Sequence, residues 1–137
     1  SMAILMYLAD KSGRFMPEHL VNDTMFWRNS MSIATDMTGV LMAILTIGRM
    51  DSPHQPTINE FGARYHRYLR YWDGILADQQ YAGANEVSIA DFAFYPVIFR
   101  SKLMIPEFTN DCPNIDRWYE EIGARPGVQK GLDFGHS

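Results

Sequence analysis

Cysteine is almost missing from this chain. Cys112 stands alone, so no internal disulfide can form, and a reducing cytosol is the expected compartment. Long apolar runs are missing too. The uncharged stretch Met37 to Gly48 is shorter than the roughly 20 residues a membrane-spanning helix needs. The opening "SMAILMYLADK" lacks a basic start and meets charge at Asp10 and Lys11, so no secretory signal is expected. Excess positive charge is absent as well. A net charge of −4 argues against a nucleic-acid or anionic-membrane partner. His19, His54, His66 and His136 show no metal-ligand spacing, so no metal site is expected. No alternating strand pattern, repeat or low-complexity segment interrupts the chain.

What is present is apolar mass in helical register. Hydrophobic residues are 47% and charged residues 20% of 137, enough for one domain with a real core. Ala3 to Lys11 sets Ile4, Leu5 and Leu8 on one stripe and stops at Lys11 and Gly13. From Glu18 to Met50 there is no proline, and Phe26, Ile33, Met37, Val40, Ile44 and Ile47 mark one buried face. Thr35, Asp36, Thr38 and Gly39 predict a bend or break midway. "TINE" predicts a capping box between Thr57 and Glu60 at the start of the next helix. Phe61, Tyr65, Tyr68, Trp72, Ile75 and Leu76 are its inner side. A turn at 78–85 follows. Ile115, Trp118, Tyr119 and Ile122 predict another amphipathic helix, and Pro126 opens a last short one.

The stretch "NEVSIADFAFYP" holds the one carboxylate inside a helix that is apolar nearly all round. Ser88 is the expected N-cap and Asp91 the third helical position. The Ser88 hydroxyl can then accept from the Asp91 amide while the Asp91 carboxylate accepts from the Ser88 amide. Val87 and Phe92 are spaced for a hydrophobic staple. The spacing therefore gives Asp91 a structural role, not that of a catalytic acid. Pro96 should kink this helix, because it removes the bond to the Phe92 carbonyl.

These blocks carry a resemblance. "VSIADFAFYP" is similar to the capped sixth helix of the soluble glutathione transferases, and a proline there is similar to the bacterial Nu-class branch. "CPNIDRWYEEIGARPGVQKGL" resembles the family's P-N-I-x-R-W helix with its A-R-P-x-V continuation. "SMAILMYLADKSGRFMP" resembles the last helix and exit linker of the thioredoxin-like half. The resemblance implies an all-α fold, the family's C-terminal helical bundle around a central buried helix. Residues 1–16 would be the remnant of a missing thioredoxin-like domain and 17–137 the helical domain.

The function implied is glutathione conjugation or glutathione-dependent disulfide reduction, with this domain giving the hydrophobic electrophile site. Trp27, Ser30 and Met31 are the implied substrate-facing residues. Ser1 falls where the family holds the glutamyl carboxylate of glutathione. Glutathione is the implied cofactor, yet the thiol-activating half lies outside this sequence, so weak or no binding is expected of this chain. A homodimer and a hydrophobic small-molecule electrophile are the implied partners. A non-catalytic interaction module is the alternative.

Two further features read as structural. Cys112 precedes Pro113 at a helix start, where a thiol pKa tends to fall, but Asp111 opposes that, and an ordinary thiol is expected. "RYHRYLRYW" puts Arg64, Arg67 and Arg70 on a solvated face.

Overall fold

The computed structural model describes residues 1–134; His136 lies outside them. The helices are α1 (Met2–Ser12), α2 (Glu18–Val21), α3 (Thr24–Ser32), α4 (Thr38–Gly48), α5 (Gln55–Asp78), α6 (Ile89–Met104), α7 (Pro113–Gly123) and α8 (Pro126–Asp133). Among the described residues there is no strand. The fold is all-α, as the sequence implies.

The expected break near Gly39 is not a break. Ile33–Met37 forms a π-helical turn that joins α3 to α4. Thr38 Oγ1 donates to Ile33 O at 2.8 Å, five residues back, which suits the wider turn. The joined run Thr24–Gly48 is 25 residues, long and apolar enough by length and composition to cross a membrane. Met37, Leu41 and Ile44 of that run lie instead in the protein core. Asp23 caps α3, its Oδ1 accepting from Met25 N at 2.8 Å and Phe26 N at 3.1 Å.

α5 starts three residues earlier than a Thr57 cap predicts. His54 is its N-cap and Pro56 lies in the first turn, where its missing N–H costs nothing. Thr57 therefore sits inside the helix and pairs with His54 Nδ1 at 2.7 Å, and no side-chain cap forms there. The inner face of α5 centres on Tyr65, Leu69, Trp72 and Leu76. Arg64, Arg67 and Arg70 are exposed, as expected.

The core is built on an aromatic stack. Phe94 of α6 lies 4.7 Å from the ring of Trp72 on one side and 4.7 Å from Trp118 on the other. Full burial of three such rings stabilises by several kcal/mol through apolar area alone, and packed ring pairs add roughly 0.5–1.5 kcal/mol each. α1 also packs on α6. Met2 and Ala9 are buried, while Ile4 (63%) and Leu8 (50%) remain exposed.

Candidate functional site

The start of α6 is tied into the core by several hydrogen bonds. Ser88 and Asp91 close the capping box. Asp91 Oδ2 accepts from Ser88 N at 2.8 Å, and Oδ1 accepts from Ala82 N at 2.7 Å. Trp118 Nε1 donates to the same Oδ1 at 2.8 Å, and Ser88 Oγ donates to Oδ2 at 3.3 Å. Burial pushes the Asp91 carboxyl up from its ordinary value, against the downward pull of these four donors. Every lone-pair direction is taken by a protein donor, so none remains for a substrate proton. Asp91 is a structural hub, as its spacing implies.

The linker after α1 completes this hub. Phe15 adopts φ 65, unusual for a bulky residue. That turn lets its carbonyl accept from Ile89 N at 2.9 Å, satisfying another first-turn amide of α6. Its ring meets Phe92 edge-on at 4.9 Å. Phe15 is thus a partner of Phe92. Gly83 approaches so closely that a Cβ would overlap the Ser88 hydroxyl.

A second buried carboxylate went unread in the sequence. Asp73 of α5 accepts from Asn114 N at 2.8 Å and from Ile115 N at 3.0 Å. It caps α7 from another helix, while the local N-cap, Cys112, offers no side-chain bond. No local motif could reveal this, because the cap and the helix are 41 residues apart. Cys112 itself is buried. Loss of solvent, helped by the Asp73 charge, pushes its thiol up to about 11. That suits an ordinary thiol and not a nucleophile.

The open surface lies along the other side of α6. A groove of about 840 Å³ runs between α1, α4 and α6, with Leu5, Leu41, Ala93 and Val97 in its wall. Ser1 stands at its edge, and its side chain makes no cap bond to α1. Ala34 of the π turn and Thr38, the first residue of α4, reach the groove. The three residues named for the substrate do not line it. Ser30 is fully buried and its hydroxyl has no partner; Met31 is 39% exposed. Trp27 is half-buried and donates from Nε1 to Val21 O at 2.8 Å. Among the described residues no cluster of three His, Cys, Asp or Glu could hold a metal ion.

Fold and hub together define an all-α domain organised on a capped, buried central helix. A family model described as "Glutathione S-transferase, C-terminal domain" matches residues 55–121, which span α5, α6 and most of α7. The disulfide-bond oxidoreductase YghU of Escherichia coli is 30% identical over 96% of this chain and 48% of its own length. A glutathione S-transferase domain-containing protein of Dictyostelium discoideum is 30% identical over 95% of this chain and 52% of its own.

Solved structures agree. A glutathione transferase from Burkholderia graminis, with two glutathione molecules bound per subunit, superposes with a TM-score of 0.85. It is 24% identical and is covered over 58% of its length by 96% of this chain. The glutathione transferase YghU of Streptococcus pneumoniae, complexed with glutathione, gives 0.71 at 26% identity, over 96% of this chain and 54% of that one. The chain belongs to the glutathione S-transferase family and corresponds to its C-terminal helical domain. It spans about half the length of the curated relatives it matches.

Proposed function

We propose that this domain forms the apolar side of a cytoplasmic, glutathione-dependent enzyme that conjugates hydrophobic electrophiles or reduces disulfides. The observation that carries the reading is the uncovered apolar surface of α4 and α6 beside Ser1, in a chain whose family and structural neighbours handle glutathione. The thiolate would be stabilised outside residues 1–137. This domain's own part is to hold the electrophile in a water-poor setting next to it. Trp27 and Met31 are the substrate-facing candidates on α3; they stand outside the groove, so the electrophile would have to reach past it toward α3, while Ser1, in the groove wall, is the candidate on the glutathione side.

Trp27 is a built-in reporter, since Trp72 and Trp118 are buried. Titration with 1-chloro-2,4-dinitrobenzene should quench Trp27 fluorescence, and Trp27→Phe should abolish that change. Quenching that is unaltered in Trp27→Phe would refute the placement.

The alternative, a non-catalytic interaction module, is favoured by the same open face. Turnover of 1-chloro-2,4-dinitrobenzene or 2-hydroxyethyl disulfide by the complete glutathione-binding assembly separates the two. Turnover supports the enzyme, and its absence supports the module.

A further inference from the structure

α8 does not lie flush on the helices beneath it. Where it meets α6 and α7 it leaves a cavity of about 320 Å³, enough for a small ligand. Its apolar walls are Tyr95 and Phe99 of α6, Tyr119 of α7 and Leu132 of α8. Phe99 is the one residue it shares with the groove beside Ser1, and neither Trp27 nor Met31 lines it. The rings in the wall are ordered. Tyr95 and Tyr119 stack 5.0 Å apart and 8° from parallel, and Phe99 follows Tyr95 at 6.4 Å and 23°. Gly123 leaves room for this stack, since a Cβ there would stand 2.9 Å from the Tyr95 hydroxyl.

The polar groups around the cavity mostly accept. Glu120 brings a carboxylate. The described residues contain two ion pairs, Lys102–Asp116 and Arg117–Glu121, and Glu120 belongs to neither. Gln129 donates from Nε2 to Gly123 O at 2.6 Å, which leaves its amide oxygen to accept. Burial, then the Tyr119 hydroxyl, then the Glu120 charge push the Tyr95 phenol up to about 12, so this ring stays neutral. No Lys or Arg lines the cavity. Lys102 Nζ, 5.4 Å from the centre of the Tyr119 ring, is already paired with Asp116. An uncommitted carboxylate and an amide oxygen therefore edge an aromatic cavity that holds no cation of its own.

We propose that this cavity binds a small primary arylalkylamine, its ammonium group donating to the Glu120 carboxylate and Gln129 Oε1 and its ring lying against Phe99 and Leu132. An ammonium has three donors and no acceptor, which matches acceptors without a cation. A carboxylate ligand would set like charge against Glu120. A purely apolar ligand would displace water from Glu120 and Gln129 and give them no donor in return. The aryl body suits walls that are aromatic and aliphatic. Bound there, the amine joins α8 to the α6–α7 pair. The site is separate from the electrophile reading and stands whether or not that reading holds.

The test titrates 2-phenylethylamine into the full chain and follows backbone amides by NMR. The anion of similar shape, 3-phenylpropionate, is the control. The amine should saturate with a dissociation constant below about 10 mM, with shifts centred on residues 119–132, and the acid should bind about tenfold or more weakly. Glu120→Gln should weaken the amine about tenfold with the rest of the spectrum unchanged, since Glu120 is exposed and outside the core. Equal affinity for amine and acid, no saturation below about 10 mM, shifts centred on another part of the molecule, or indifference to Glu120→Gln would overturn the proposal.

Discussion

The indole of Trp118 and the carboxylate of Asp91 meet at 2.8 Å inside the core. That one bond joins the start of α6 to the middle of α7. The same oxygen also holds Ala82 N, so the turn after α5 is tied in as well. The turn at Ala82 and the α7 helix at Trp118 thus share a single acceptor at the start of α6.

Asp91→Ala should cost about 2 kcal/mol or more, the upper end for a lost helix cap, because it leaves buried donors on Ser88, Ala82 and Trp118 without a partner. Urea denaturation of the variant against the parent checks this. An unchanged midpoint would mean that the hub is not structural.

Asp73→Ala should lower stability by roughly 1–2 kcal/mol, since Asn114 N and Ile115 N lose their acceptor. Hydrogen exchange locates the effect. Amides at the start of α7 should lose protection before those of α3.

Alkaline pH should destabilise the fold in a defined window. The Cys112 thiol is pushed up to about 11 from 9.0, and burial raises the Tyr65 phenol to about 12 from 10.0. Both are neutral when protonated. Their folded values exceed the unfolded ones, so the Cys112 contribution is intact below pH 9 and lost toward about 11, and the Tyr65 contribution is intact below pH 10 and lost toward about 12. Urea midpoints measured from pH 8 to 11 should fall, and fall less steeply in Cys112→Ala or Tyr65→Phe. Slopes identical to the parent in both variants would count against this.

Association is a further expectation. α1 packs on α6, buries Met2 and Ala9, and leaves Tyr7 (61%) and Leu8 (50%) uncovered. We expect a homodimer that buries this outer face of α1. Light scattering at micromolar concentration should give about twice 15.7 kDa, and Leu8→Glu should return the monomer mass without loss of stability. A monomer in the parent would rule the dimer out.

Local chemistry made part of this legible. The Ser88–Asp91 box is a three-residue spacing, and the inner face of α5 is a simple period, so both could be read directly. Asp73 could not, because its partners belong to α7 and nothing in "YWDGI" announces them. The π turn at Ile33–Met37 hid behind residues that equally suit a bend. Phe15 looked like loop, and its left-handed turn acquires meaning only from Ile89 N above it. The orientation of α1 was ambiguous because "AILMYLA" is apolar on more than one side. Trp27, Ser30 and Met31 stand at i, i+3 and i+4 on α3, which is one helix face, but the spacing alone does not show that Ser30 sits at the buried edge of that face and Met31 at its exposed edge.

The central claim is that this chain is the apolar helical side of a glutathione-family site, with the thiol-activating contacts lying outside it. Isothermal titration of glutathione into the chain tests it most directly. The account predicts no saturable heat at micromolar concentrations. A dissociation constant in the micromolar range would contradict it.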